Sequence, residues 1–314
     1  MAVGEGAADV SKRALVTGHQ GFIGRHMLNR LTALGYSVTG FDVRDAYRVD
    51  ARDFFRFNSR HYDLVIHCAA VVGGRTTIEG APLRVAVDLA IDAELFQWAL
   101  RTQPGAVVYF SSSAAYPTNL QGLSPRAWEN DLMRGMPLIE KWINHEDDAF
   151  GRPDLTYGWA KLTGEVLAEH ARAAGLRVHV FRPFSGYGTD QDLDYPFPSF
   201  IHRALRRDDP FEVWGNGEQL RDFIHVDDVV GAVLAAVDQG FTDTVNLCTG
   251  RATSFNELAR LVTTAAGYSP QLKHLTEAPV GVTSRVGDPT EMLKFYAPKV
   301  TLEDGISRAL RSLV

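Results

Sequence analysis

Tyr157-Gly-Trp-Ala-Lys161 sets a phenol and an ammonium four residues apart, which on a helix is one turn and one face. A cation beside a phenol favours the phenolate, so Tyr157 could take a proton from a substrate hydroxyl. With ten tyrosines and six lysines in 314 residues, about 0.2 such pairs would arise by chance, so the pair needs support from elsewhere. Support comes from Ser111-Ser112-Ser113-Ala114-Ala115-Tyr116-Pro117, which follows the apolar run Ala106 to Phe110. Hydroxyls at the carboxyl end of a strand sit where a substrate is bound, and Ser112 could share a hydrogen bond with Tyr157 and the reacting oxygen.

A second constellation, Thr17-Gly-His-Gln-Gly-Phe-Ile-Gly24, spaces Gly18, Gly21 and Gly24 three apart between a strand-like and a helical run. Glycines there let the backbone turn tightly and approach a pyrophosphate, while the helix aims its free N–H groups at the phosphates. Asp42 comes about 20 residues later at the end of a second strand, where a carboxylate accepts the adenosine ribose hydroxyls of NAD. Arg44 keeps NADP open as the alternative, since it could pair with a 2′-phosphate. Lys161 would then be available to hold the nicotinamide ribose.

Positioning these groups requires alternating strands and helices. Strands are expected at Ala14 to Thr17, Tyr36 to Asp42, Leu64 to Ala69 and Ala106 to Ser111, with helices from about Ile23 to Leu34 and Pro82 to Arg101. A further helix runs from near Tyr157 to Ala174, followed by a strand at Arg177 to Phe181. Alternation of this kind predicts an α/β fold with a doubly wound parallel sheet. Gly, Pro and Asp cluster from Gly186 to Pro198, and beyond them a smaller mixed α/β lobe is expected, containing the strand Thr244 to Leu247 and helices near Phe255 to Gly267 and Asp288 to Tyr296. Residues 1–11 read as a flexible tail, 12–182 as the dinucleotide-binding unit and 183–314 as the substrate lobe, with the chain crossing back near 224–250. The polar stretch Glu140 to Asp148 reads as a solvated amphipathic helix rather than a metal cluster, and is a candidate lid.

Composition narrows the partners. With 45% apolar and 22% charged residues and a formal charge of -6, the chain offers no basic face for nucleic acid or an anionic membrane. No run approaches a membrane span, two cysteines (Cys68 and Cys248) in apolar runs imply buried thiols in a reducing compartment, and a cytoplasmic protein without a metal site is expected.

Taken together these motifs resemble the extended short-chain dehydrogenase/reductase family, in its nucleotide-sugar epimerase/dehydratase branch, over the chain from about Lys12 onward. The resemblance extends to His67-Cys-Ala-Ala70, to Arg182-Pro-Phe-Ser-Gly-Tyr-Gly188 and to the run Val213 to Asp228. It implies a Rossmann fold with NAD held by Gly18, Gln20, Gly21, Phe22, Ile23, Gly24, Asp42, Asp50, Ala69, Ala70, Ser111, Tyr157, Lys161 and Pro183. It further implies a nucleotide-diphosphate sugar as substrate, bound by Ser112, Ser113 and Ser185 and clamped at its diphosphate by Arg221 and Arg285, with Ser112, Tyr157 and Lys161 catalytic. Ser185 stands where the family often has Asn. A homodimer built on the Pro82–Arg101 and Tyr157 helices is also implied, since the former is apolar around much of its circumference.

Members of the branch share oxidation at C4 of the sugar and differ in the later steps. The acid pair of dehydratases falls at Ser113 and Ala114, and the acid of decarboxylases and the cysteine of GDP-mannose 3,5-epimerase and GDP-fucose synthase fall at Ala114. A methyl group moves no proton, whereas inversion at C4 needs no further acid or base, so an NAD-dependent 4-epimerase with retained cofactor is expected. The alternatives are a 4-ketoreductase, a 3,5-epimerase or decarboxylase with another acid/base, and a non-enzymatic dinucleotide sensor.

Overall fold

Short apolar runs buried on both sides form the spine of the molecule. The computed structural model describes residues 11–73, 75–122, 137–143 and 151–313. Strands β1 (Arg13–Thr17), β2 (Ser37–Phe41), β3 (Leu64–His67), β4 (Val107–Phe110), β5 (Val178–Pro183) and, later in the chain, β10 (Val245–Leu247) form one sheet. Their order is β10-β5-β4-β3-β1-β2, and every pairing is parallel. The order reverses between β1 and β3, which opens a crevice at the carboxyl ends of the strands.

Alternate side chains along each strand serve opposite faces. Val16, Ile66, Val108 and Phe110 pack on Met27 and Leu31 of α1 (Phe22–Ala33) and on Val229 and Val233 of α8 (Val226–Gln239). Leu15, Val65, Val107 and Val180 pack on Phe55 of α2 (Ala51–Phe57), Leu95 and Trp98 of α5 (Val87–Thr102) and Ala168 of α6 (Leu155–Ala173). These two layers make the doubly wound α/β fold that the alternating pattern predicts.

Three elements differ from expectation. The strand at Thr244 to Leu247 is not part of the lobe but falls in the stretch expected to cross back near 224–250: as β10 it pairs with β5 and extends the large sheet, where Val245 and Leu247 are fully buried. The helix expected from Pro82 to Arg101 is two, α4 (Pro82–Val85) and α5, preceded by α3 (Arg75–Gly80); Ile91, Leu95, Phe96 and Trp98 turn inward while Leu89 and Leu100 stay exposed. At Glu140 there is a single 3-10 turn, Glu140–Trp142, in place of a solvated helix. Leu138 and Ile143 beside it are buried with Tyr116, Leu162, Phe184 and Cys248. The Glu140 carboxylate accepts the Asn246 N–H at 2.9 Å. Burial raises its pKa despite that bond. The rest of that stretch, 144–148, lies outside the described residues, as does the tail up to residue 10.

The lobe is assembled from short pieces. Strands β6 (Ser185–Tyr187) and β9 (Phe223–His225) pair, as do β7 (Phe211–Trp214) and β12 (Leu272–Leu275), while β11 (Thr253–Ser254), β8 (Leu220–Arg221) and β13 (Ser284–Arg285) form a third sheet. Phe200, Phe211, Leu258, Val262, Ile306 and Leu310 form its core between α7 (Pro196–Leu205), α9 (Phe255–Ala265) and α11 (Leu302–Ser312); α10 (Thr290–Leu293) sits by β10. Asp222 ties lobe to sheet: fully buried, it accepts the Thr249 and Gly250 N–H groups at 2.8 Å and that of Gly287 at 3.3 Å. Among the described residues no helix is long and apolar enough to cross a membrane.

Candidate active site

At the end of β1 the chain turns through Gly18, whose φ is +67°, with its N–H on the Phe41 carbonyl at 2.6 Å. A Cβ on Gly18 would lie 2.6 Å from the Cys68 carbonyl oxygen, and one on Gly24 only 2.1 Å from that of Gly18. Both contacts are closer than real Cβ atoms come, so no side chain fits. Helix α1 begins at Gly21 with no side-chain cap and no acid in its first turn, which leaves those N–H groups and the positive end of the helix for an anion. Phe22 and Ile23 in that turn pack against the core. Cys68, one residue past β3, is partly buried, and desolvation pushes its thiol up to about 12.

Asp42 lies just past β2 and is 4% exposed. Its carboxylate accepts the Gln20 N–H at 3.1 Å and is gripped by Arg44, whose Nε and Nη2 each lie 2.9 Å from one oxygen. Burial works to raise its pKa, but the Arg44 hydrogen bonds and charge prevail and hold it below the usual carboxylate range. These residues fit a dinucleotide: a side-chain-free turn and uncapped helix for the pyrophosphate, and an ionised carboxylate for a ribose, from which Arg44 must shift to give a hydroxyl room. Asp50 is placed differently, at the start of α2, where it caps the helix by accepting the Arg52 N–H at 2.8 Å.

Ser112 ends the extended chain beyond β4 and caps the 3-10 turn Ser113–Ala115, its Oγ accepting the Ala114 N–H at 3.1 Å. The Ala114 carbonyl accepts the Asp154 N–H at 3.0 Å, which stitches the start of α6 to the serine turn. Gly158 is needed at that crossing, because a Cβ there would come 2.3 Å from the Ala114 oxygen. Tyr157 and Lys161 are thereby carried on the helix that packs on the serine turn. Tyr157 is half-buried; the Lys161 Nζ, fully enclosed, lies 5.9 Å from the Tyr157 ring centre and 5.3 Å from that of Tyr109. Ser113 is buried in the turn, and Ser111 instead donates its hydroxyl to Glu165. Ala69 donates its N–H to Thr17 at 3.2 Å, with Ala70 next to it, and Pro183 closes β5 opposite Leu247.

The proposed diphosphate arginines are register partners on β8 and β13 but reach different groups. Arg221 donates to the carbonyls of Leu220 and Val282 at 2.7 and 2.9 Å, over the Phe255 ring. Arg285 donates to Gln121 at 2.6 Å and to Asp154, at the head of the Tyr157 helix, at 2.7 Å. Ser185 stands half-buried on β6, its N–H on the Asp222 carbonyl. Asp88 and Asp92, which the sequence reading passed over, are buried on α5 against Lys161; two acids four apart, hence on one helix face that is otherwise apolar there (Ile91, Leu95), were the available signal.

A glycine turn on a doubly wound sheet, an acid at the second strand and a Tyr–Lys helix beside a serine turn define a dinucleotide-dependent enzyme of the extended short-chain dehydrogenase/reductase class. Residues 14–248 match the family model described as the NAD dependent epimerase/dehydratase family, and the chain belongs to that family. It is 29% identical to dTDP-4-dehydro-6-deoxy-D-allose reductase of Streptomyces bikiniensis, over 90% of this chain and 89% of that protein. It is 27% identical to UDP-N-acetyl-alpha-D-glucosaminuronate decarboxylase of Bacillus cytotoxicus, over 96% and 98%. Among solved structures, the UDP-glucose 4-epimerase of Thermotoga maritima with UDP-glucose superposes with a TM-score of 0.76 at 25% identity, covering 96% of this chain and 98% of that one.

Proposed function

We propose that the protein is a nucleotide-sugar 4-epimerase that works through a transient 4-keto sugar and keeps its NAD from one turnover to the next. The observation that carries this is Ala114. It is 3% exposed in the serine turn, its N–H is taken by Ser112 and its carbonyl by Asp154, so the position offers a methyl group and no proton carrier. Bound NAD supplies the acceptor and donor of hydride at C4. Ser112 would hold the C4 oxygen, and Tyr157, favoured as the phenolate by the Lys161 charge, would take the hydroxyl proton and become the neutral phenol. After the keto sugar turns over in its pocket, Tyr157 would return the same proton to the oxygen on the other face.

A second reading, a 4-ketoreductase, is favoured by the reductase relative, which is more similar in sequence than the Thermotoga maritima epimerase is. The same Ser112, Tyr157 and Lys161 would serve it, but NAD(P)H would be consumed each turnover. The two separate when purified protein is given 4-hydroxy and 4-keto nucleotide sugars with and without added NAD(P)H: the epimerase reading expects turnover of the former without it.

In either reading Asp42 holds the adenosine ribose. Asp42→Ala is expected to weaken NAD about tenfold, the order of one lost hydrogen bond to a charged group. Fluorescence titration with the dinucleotide measures it, and an unchanged affinity would remove Asp42 from the cofactor site.

A further inference from the structure

Apart from Tyr157, Lys161 is enclosed by groups that take no part in the C4 chemistry. From its own helix it faces Tyr157; from α5, Asp88 and Asp92; from β4, the Tyr109 ring; and from beyond β3, Cys68. Asp88 and Asp92 are 0% and 1% exposed. They lie one turn apart on the face of α5 that packs on α6. Room for them is made by Gly164, one turn beyond Lys161: a Cβ there would come 1.8 Å from the Tyr109 hydroxyl and 2.9 Å from Asp92 Oδ2.

The two carboxylates are held differently. Asp92 accepts the Tyr109 hydroxyl at 2.7 Å and meets His67 Nε2 at 3.2 Å, and the other nitrogen of that ring is 2.9 Å from the Thr17 hydroxyl. It is fixed by a buried chain running back to the end of β1. Among the described residues, Asp88 accepts only the Val71 N–H, at 2.6 Å through Oδ1, and its buried Oδ2 has no hydrogen-bond partner. A buried carboxylate oxygen without a partner is costly unless a charge lies close by, and Lys161 is that charge.

We propose that Asp88 and Asp92 are positioning residues for the Tyr157–Lys161 pair, their carboxylates keeping Lys161 charged in a buried site and governing when Tyr157 can take a proton. The inference rests on the reading of Tyr157 as the base. Burial alone would strip the proton from Lys161, yet Asp92, Tyr157 and Asp88 around it hold its pKa above the ordinary lysine value. Burial raises Asp88 to about 6 against the opposing pull of Lys161, so its charge changes within the range in which enzymes are assayed. One ammonium thus answers two acids, of which Asp92 is anchored and Asp88 adjustable.

The test is the pH profile of kcat/KM for three variants, with thermal melts to check folding. Asp88→Asn keeps an acceptor for the Val71 N–H and removes one of the two negative charges that offset Lys161, so more of the ammonium's field reaches the phenol while Asp92 still holds it. The acid limb should move down by about one pH unit. In Asp88→Asn/Asp92→Asn, Lys161 loses both carboxylates that hold it charged; kcat at pH 7 should fall about 100-fold with the KM for the sugar nucleotide within about threefold, because neither acid is proposed to touch substrate. If the double variant does not fold, the single one decides. An acid limb unmoved in Asp88→Asn overturns the proposal. Tyr157→Phe keeps the two readings apart: if it turns over normally, the assignment of the base fails, whereas if it is inactive while Asp88→Asn keeps the wild-type profile, only the role of the carboxylates fails.

Discussion

Tyr157→Phe is expected to lower kcat by about 10³-fold while leaving the fold and sugar-nucleotide affinity near those of the parent protein. The variant keeps the ring that packs 5.9 Å from the Lys161 ammonium and loses only the hydroxyl. Tyr157 is half-buried and its helix is fixed at one end by the Asp154–Ala114 hydrogen bond, so removing one oxygen leaves no reason for α6 to move. The loss amounts to about 4 kcal/mol of transition-state stabilisation, the range of a general base removed from its substrate. Rapid-quench turnover together with calorimetric binding of the sugar nucleotide separates the chemical step from binding. Residual activity within tenfold of the parent would show that another group takes the proton.

The second large effect concerns the ion pair that seats α6 on the sheet. Glu165 of α6 and Arg182 of β5 are each 3% exposed and form two hydrogen bonds, at 2.6 and 2.9 Å. Arg182 also donates to the Tyr116 hydroxyl at 3.2 Å and to the Glu140 carbonyl at 3.1 Å, and Glu165 accepts from Ser111. Burial opposes the charge on Arg182, but Glu165 and the Tyr116 hydroxyl outweigh it and raise its pKa further. Glu165→Ala would leave that guanidinium buried without its counter-ion, and a loss of about 3–5 kcal/mol in unfolding free energy is expected. Replacing both partners together, as in Glu165→Leu/Arg182→Met, should recover most of it, since an apolar pair of similar volume carries no buried charge. Urea unfolding monitored by circular dichroism measures both variants. A loss below about 1 kcal/mol in the single variant would mean that water or another group takes the place of Glu165.

Much of this arrangement is legible in the residues, for a local reason. The glycine turn, the acid after β2 and the Tyr–Lys spacing are each set within a few residues by backbone sterics or helical periodicity, and the strand–helix alternation follows from non-alternating apolar runs. The features that escape a reading of the sequence depend on distant partners. Helix α2 is only seven residues long and carries Phe54, Phe55 and Phe57 in a run that reads equally as strand; packing of Phe55 on Trp98 decides it. Strand β10 looks like a piece of the lobe until Val245 and Leu247 find the open edge beside β5. The turn at Glu140 is charged, yet Glu140 is half-buried because Asn246 and Arg182, far along the chain, supply its partners.

The same reasoning explains the arginines. Guanidinium groups at 221 and 285 are read from sequence as phosphate clamps, but their contacts within the chain, Arg285 on Asp154 above all, depend on how the lobe closes on α6. Asp88 and Asp92 are hidden for a related reason. Within their own helix they are two of three acids, with Glu94, and only the packing of α5 on α6 brings them to Lys161.

The most direct test of the central claim is product analysis by NMR after purified, NAD-loaded protein is incubated with UDP-, GDP-, dTDP-, ADP- and CDP-sugars and no added nicotinamide cofactor. A retained-NAD 4-epimerase converts at least one of them to a mixture with its C4 epimer, without loss of water or carbon dioxide. Strict dependence on added NAD(P)H, or a product that has lost water or carbon dioxide, would contradict it.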